Sequence, residues 1–152
     1  MDNKTILRKA VLDDLQNIVT CAQQAFEKYI ARIGKKPAPM LADYEKHINS
    51  GSIFVVEYEK ALAGLVVLVA TPEYVLLDTI AVSPSYQGKS LGKALLQFAE
   101  TFTAQKGKSE IRVSTNEKMF ENISIYNHCG YMEYERRCED GYDRVFFRKK
   151  LA

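Results

Sequence analysis

Two stretches of this chain carry residues that could do chemistry. The first is Tyr86-Gln87-Gly88-Lys89-Ser90-Leu91-Gly92-Lys93-Ala94-Leu95, where glycines and lysines crowd the start of an apolar-periodic run. A loop that opens into a helix presents unpaired backbone N–H groups and the positive end of the helix dipole, which suit phosphate or pyrophosphate. The letters GKS invite a nucleoside triphosphate, but that loop needs G-x-x-x-x-G-K-[ST]. Five residues before Gly88 stands Ser83, and Gly92-Lys93 is followed by Ala94, so both alignments fail. The dinucleotide pattern G-x-G-x-x-G fails too, because Ser90 and Lys93 occupy its later glycine positions. What remains is close backbone approach through Gly88 and Gly92 with charge from Lys89 and Lys93. An ordinary strand-to-helix turn is the alternative.

The second stretch is "VLLDTIAV", in which Asp78 is a lone carboxylate. Alternation puts it on the side of Leu76, Ile80 and Val82. A carboxylate in such company is either paired or raised in pKa, and either state lets it take a proton from an amine, directly or through water. An exposed or salt-bridged Asp on a half-solvated face is the alternative, and Glu57 and Glu73 are the weaker candidates for a base. His47 and His128 have no partner at the spacing of a metal ligand or a triad. Cys21, Cys129 and Cys138 form an odd set without a C-x-x-C pair, which points to reduced thiols. The run Arg148-Lys149-Lys150 reads as a solvated strand end.

The elements that must position these residues follow from periodicity. "TILRKA" has β character; Leu12, Leu15, Ile18, Val19, Ala22 and Phe26 then trace one helix from about Val11 to about Ile30. Gly34, Pro37 and Pro39 interrupt it, and "LADYEKHINSG" is a second, shorter helix. "SIFVVEYE", "ALAGLVVLVA" and "EYVLLDTIAV" are three strands of a meander, with turns at Lys60 and at Thr71-Pro72. Pro84 ends the third strand, and Leu91, Leu95, Leu96, Ala99 and Phe102 trace a helix up to Gly107. A strand ("SEIRVST"), a helix ("MFENISIYNHC") and two strands around Asp140-Gly141 close the chain. The order β-αα-βββ-α-β-α-ββ predicts a mixed sheet with helices on both faces.

Composition narrows the class. A chain of 152 residues with 47% hydrophobic content is long enough for one core, so a single domain over residues 1–152 is expected. Lys plus Arg number 21 against 19 Asp plus Glu, far from the basic excess that binds a phosphate backbone, and nucleic acid is not expected as a partner. The longest apolar run, Ala61 to Ala70, is too short to cross a bilayer, and "MDNKTILRKA" lacks the basic and apolar regions of an export signal. A cytoplasmic protein without a membrane partner is therefore expected.

"LDTIAVSPSYQGKSLGKALLQFAE" resembles motif A of the GNAT superfamily of acetyl-CoA-dependent N-acetyltransferases, where a strand ending "aVxP" leads to [QR]-x-x-G-x-[GA] and a helix. The match is Gln87-Gly88-Lys89-Ser90-Leu91-Gly92, with Ser90 where the family usually carries Gly. Serine is small, so only a slight loosening of the contact to pyrophosphate is expected. "ENISIYNHCGY" is similar to motif B, with Tyr126 shortly before Gly130-Tyr131. Asn122 lies one helical turn before Tyr126, whereas many relatives place Asn where this chain has Met119.

The resemblance implies an α/β (α+β) fold, the GNAT acyl-CoA N-acyltransferase fold: a mixed, mostly antiparallel sheet of about seven strands with splayed central strands and four helices. It also implies an N-acetyltransferase that moves the acetyl group of acetyl-CoA to a primary amine in a ternary complex, without a metal. Ile80, Ala81 and Val82 would pair with the pantetheine amides, and Gln87, Gly88, Lys89, Ser90, Leu91, Gly92 and Lys93 would hold the pyrophosphate. Asn122 and Tyr126 would complete the cofactor site. Tyr126 would protonate the departing thiolate, a task a phenol of pKa about 10 can perform. Val82 or a neighbour would supply the oxyanion N–H, and some relatives carry a catalytic Glu at the position of Asp78. Relatives are often dimers, so a homodimer is an expectation without an identified interface. A catalytically silent acyl-CoA sensor on the same fold is the alternative, and the sequence leaves the acceptor open.

Overall fold

A computed structural model describes residues 4–151. Seven strands, β1 (Thr5–Lys9), β2 (Ile53–Tyr58), β3 (Ala61–Ala70), β4 (Val75–Val82), β5 (Glu110–Asn116), β6 (Met132–Glu139) and β7 (Tyr142–Lys150), form one sheet. Their order is β1-β2-β3-β4-β5-β7-β6. The β1–β2, β2–β3, β5–β7 and β6–β7 ladders are antiparallel, and β4 runs parallel to β5. This is the mixed sheet that the element order predicts.

Two tight hairpins set much of the register. Glu59 and Lys60 turn β2 into β3 with φ of 50° and 71°, and Asp140-Gly141 turn β6 into β7 with φ of 54° and 83°. Both central residues in the left-handed region are the mark of the two-residue turn whose twist matches the strands. The parallel pairing of β4 with β5 is short: Val75↔Ile111, Leu76↔Arg112 and Leu77↔Val113.

The helices are α1 (Leu15–Phe26), α2 (Tyr29–Ile33), α3 (Tyr44–Asn49), α4 (Leu91–Gln105) and α5 (Phe120–His128). The single helix expected from Val11 to Ile30 is instead a 3₁₀ turn (Leu12–Asp14) followed by α1 and α2. Asp14 bends its carboxylate back to accept the Val11 N–H at 2.8 Å, and Ile30 N–H donates to Glu27 at 3.1 Å across the second break. The second break is a tight turn that leaves Phe26 and Tyr29 both buried with their rings 6.2 Å apart, so apolar spacing cannot reveal it, while Leu12 before the first break is exposed. Among the described residues the α-helices number five where the sequence suggests four, because the first predicted helix is divided.

Contacts divide the chain into two compact units. The first comprises residues up to Leu68 together with Thr79–Ala99. Its buried side chains include Ile18, Cys21 and Ala22 of α1, Ile53 and Val55 of β2, Leu65 and Val67 of β3, and Leu91 and Leu95 of α4. Arg8 ties β1 to its surroundings through Asp14 at 2.8 Å and Glu57 at 2.6 Å. The second unit comprises Val69–Asp78 with the residues from Glu100 onward. Val75, Leu77, Ile111, Val113, Val145 and Phe147 are its buried apolar layer, and Tyr126 of α5 stacks on Phe147 with ring centroids 5.6 Å apart. Among the described residues no helix is long and apolar enough to cross a membrane.

Candidate functional site

In the first unit, Ile80 to Lys93 form one continuous strand–turn–helix segment. β4 ends at Val82, and Ser83 donates its N–H to Ala63 at 2.8 Å, holding the strand end against β3. The Ala81 carbonyl crowds Gly64 of β3 so closely that a Cβ on Gly64 would lie 2.7 Å from its oxygen. With Ala81 and Ser83 facing β3, alternation turns the N–H and C=O groups of Ile80 and Val82 away from it. Of the three residues expected to pair with pantetheine, alternation directs the amides of Ile80 and Val82 away from β3, while the Ala81 carbonyl lies close to Gly64 of β3.

Pro84–Tyr86 make a 3₁₀ turn, and the exposed residues Gln87 to Ser90 lead into α4. Gly88 has φ 83° and Ser90 φ 62°. Positive φ near the start of a helix curls successive N–H groups into a concave, anion-binding arrangement. Ser90 closes it by accepting the first helical bond from Ala94 at 3.1 Å. The amides of Leu91, Gly92 and Lys93 follow in the first turn, where an α-helix has no internal acceptor for them. The Leu91 side chain is buried at 3% exposure, so only its backbone can serve a ligand.

A Cβ on Gly92 would meet only Val82 Cγ2, at 3.9 Å, an ordinary contact. The fold itself does not demand glycine there, so a demand would have to come from a group seated on the helix start. Lys89 places its ammonium 5.4 Å from the ring centre of Tyr58, which packs edge-on against Tyr86. The residues present thus fit the pyrophosphate of a coenzyme A thioester: curled N–H groups, a helix start and two lysines.

In the second unit, Asp78, Asn122 and Tyr126 do not share one surface. Tyr126 is buried at 4% exposure between the rings of Tyr131 and Phe147, both 5.6 Å away. Phe147 pairs with Val113, which pairs with Leu77, so Tyr126 packs on the Leu77 face of the sheet. Asp78 is exposed and belongs, by alternation, to the other face with Leu76, Arg112 and Arg148. The Asn122 amide donates to Thr115 Oγ1 at 3.3 Å and to the Met119 sulfur at 3.5 Å. It fastens the start of α5 to β5, and Met119 is buried beneath it.

Beside Tyr126 lies a cluster that sequence spacing does not reveal. Tyr131 donates to Glu100 at 2.9 Å, and Lys149 bridges Glu100 at 3.1 Å and the Cys129 carbonyl at 3.0 Å. Burial, with the Glu100 charge second, pushes the Tyr131 phenol well above its ordinary pKa, so it stays a donor at any physiological pH. Arg148 and Lys149 are half-buried on opposite faces, which corrects the reading of Arg148-Lys149-Lys150 as a solvated end; only Lys150 fits it. The strand direction explains the difference, since β7 is paired on both sides as far as Arg148.

The remaining candidates fall away from the chemistry. Glu57 is held by Arg8, and Glu73 is exposed in the turn before β4. His47 contacts Ser52 Oγ at 3.2 Å, and no group of His, Cys, Asp and Glu able to hold a metal occurs among the described residues. Burial pushes the Cys21 thiol up to about 11, while Cys129 is half-buried and Cys138 exposed; none forms a disulfide.

The model of the acetyltransferase (GNAT) family matches residues 15–131, a span that includes the loop at Gly88 and Tyr126. An uncharacterized N-acetyltransferase of Bacillus subtilis (strain 168), YvbK, is 30% identical over 88 residues, which span 57% of this chain and 57% of that protein. Thus the match takes in just over half the length of that relative. The structure of the PaiA N-acetyltransferase from Thermoplasma acidophilum in complex with coenzyme A superposes with a TM-score of 0.79 at 22% identity, covering 99% of this chain and 100% of that one. The ribosomal-protein-S18-alanine N-acetyltransferase from Escherichia coli gives a TM-score of 0.77 at 18% identity, covering 97% of this chain and 94% of that one. At these identities the two structures speak to the fold.

Proposed function

This chain belongs to the acetyltransferase (GNAT) family, and from that premise we propose that it transfers the acetyl group of acetyl-CoA to a primary amine of a small molecule or protein. The observation that carries the reading is the strand–turn–helix segment from Ile80 to Lys93, whose curled backbone and open Gly92 suit a coenzyme A pyrophosphate. Outward amides of Ile80 and Val82 then serve the pantetheine arm as a neighbouring strand would.

The reaction is direct. The amine nitrogen, freed of its proton, attacks the thioester carbonyl; the C–N bond forms, the oxyanion collapses, and the C–S bond breaks to leave a thiolate. Asp78 takes the proton from the amine, alone or through water, and the Tyr126 phenol gives one to the sulfur. A backbone N–H of Val82 or a neighbour, whichever the pantetheine arm leaves open, is the donor assigned to the oxyanion.

The test is thiol release from acetyl-CoA with a panel of amines, comparing the wild type with Tyr126→Phe. The variant keeps the ring packing against Tyr131 and Phe147 and loses only the hydroxyl. Loss of a general acid lowers turnover by about 10²–10⁴-fold. We expect a fall of at least about 100-fold with CoA affinity kept. Unchanged turnover removes Tyr126 as the acid, and CoA binding without turnover of any amine by the wild type leaves an acyl-CoA sensor.

A further inference from the structure

The sheet face that carries Asp78 has an arginine, Arg148, that no carboxylate holds among the described residues. In the second unit, α5 and the end of α4 lie over the opposite face, through Tyr126 on Phe147 and Glu100 on Lys149. The Asp78 face instead bears an array of guanidinium groups and rings. Arg112 of β5 lies 4.2 Å from the ring centre of Tyr74 and 5.3 Å from that of Tyr134. Arg148 of β7 sits directly across the ladder from Arg112 and lies 5.6 Å from the same Tyr134 ring. Two like charges placed opposite one another on neighbouring strands repel.

The carboxylates on this unit are distributed unevenly among its arginines. Glu110 holds Arg112 at 2.5 Å, Glu135 holds Arg137 at 2.6 Å, and Glu139 holds Arg144 at 2.5 Å. Arg148 has no carboxylate partner among the described residues; the Tyr134 ring is its contact. It is half-buried, with its planar fork held against an aromatic face, a state that pre-organises bidentate binding of a carboxylate. A planar fork of this kind matches the two oxygens of a carboxylate.

Position then connects this charge with the chemistry. Leu76 is the cross-strand neighbour of Arg112, and Asp78 follows two residues along the same face. Strand rise and spacing put the Cα atoms of Asp78 and Arg112 about 8 Å apart, with Arg148 one strand further. We propose that Arg148, with Arg112 beside it, binds a carboxylate of the acceptor, so that the acceptor is an amine bearing a carboxylate several bonds from its nitrogen. This rests on the transferase reading, with Asp78 receiving the amine proton. An α-amino acid is too short to bridge the two groups. A six-carbon ω-amino acid, whose extended chain spans about 7 Å at the per-bond reach of an extended backbone, is long enough.

The experiment compares 6-aminohexanoate, hexylamine and 1,6-diaminohexane as acceptors for acetyl-CoA, with the wild type and with Arg148→Gln. A charge-assisted hydrogen-bonded pair corresponds to about ten- to a hundredfold in affinity. The expected result is a kcat/KM at least about tenfold higher for 6-aminohexanoate than for hexylamine, with the diamine lowest. Arg148→Gln raises KM for the amino acid by about tenfold or more, keeps kcat within about twofold and leaves hexylamine unaffected, as loss of uniform binding requires. Arg148→Lys, which keeps the charge and loses the fork, recovers part of the effect. Equal use of hexylamine, or an equal loss for every acceptor in Arg148→Gln, overturns the proposal while the transferase reading stands. If no amine is acetylated, the transferase reading falls, and calorimetry with 6-acetamidohexanoate decides separately. Heat that Arg148→Gln abolishes supports the carboxylate site, and no heat with the wild type overturns it.

Discussion

Gly64 is the point where packing in the first unit bears most directly on the candidate site, and Gly64→Ala measures how tightly. A Cβ there would lie 2.7 Å from the Ala81 carbonyl oxygen, 3.1 Å from Val56 Cγ1 and 3.2 Å from Leu95 Cδ1. Leu95 can change rotamer, but Val56 is β-branched and Ala81 is backbone, so relief must come from moving β4 or β3. Inserting a methyl into a well-packed core costs about 1–3 kcal/mol. Alanine also restricts the unfolded chain more than glycine does, which returns about 0.4–1 kcal/mol. The net expectation is a destabilisation of about 1–2 kcal/mol, or a fall in Tm of roughly 2–8 °C for a chain of this size.

Movement of Ala81 carries Val82 with it, because Ser83 N–H is pinned to Ala63 at 2.8 Å and the strand between has little slack. On the proposed function, CoA affinity should therefore fall by about tenfold, although residue 64 touches no ligand. Urea unfolding and calorimetry with CoA on the same preparations check both halves. A Gly64→Ala midpoint at or above that of the wild type refutes the steric argument. A lowered midpoint with unchanged CoA affinity refutes the coupling from β3 to the end of β4.

Two further outcomes are expected. Ser90→Gly relieves a left-handed torsion that costs an L-residue about 1–2 kcal/mol, less the 0.4–1 kcal/mol by which glycine frees the unfolded chain, so the urea midpoint should rise by the equivalent of about 0.5–1 kcal/mol; a fall contradicts the assigned strain. The hydrogen bond from Arg8 holds Asp14 below its ordinary value of 3.8, so this pair stabilises the fold above that pH and loses its effect as acid protonates the carboxylate. Asp14→Asn should cost about 1–3 kcal/mol at pH 7, with the gap to wild type closing as pH falls below 4; unfolding curves that stay parallel from pH 7 to pH 3 contradict it.

What the sequence made legible is what neighbouring residues decide. "ALAGLVVLVA" is β3 to the residue, because a continuous apolar run bounded by turns has few other uses in so short a length. The loop at Gly88 was legible for the same reason: a strand end, a proline, glycines and a helix start follow one another along the chain. The Tyr131–Glu100–Lys149 cluster was not, since its members stand 31 and 49 residues apart and meet only after α4, α5 and β7 have packed. Arg148 was misread with its neighbours because three consecutive cations look like solvent, although successive strand residues face opposite ways and meet different surroundings.

Ser90 and Gly64 sharpen the lesson in opposite directions. At Gly64 the constraint is volume: no left-handed torsion is involved, and any Cβ meets the Ala81 carbonyl. At Ser90 the constraint is torsion: φ is 62°, which glycine adopts freely and serine does not. Judging serine an easy replacement because it is small applies the logic of the first position to the second. Its departure from the family pattern is therefore a matter of stored backbone strain at the mouth of the anion cradle, and the hydroxyl's size has little part in it. A glycine in a motif and a glycine in a strand can look equally exchangeable in a sequence, yet one is replaceable at the cost of strain and the other only by moving the strand that the thioester would lie against.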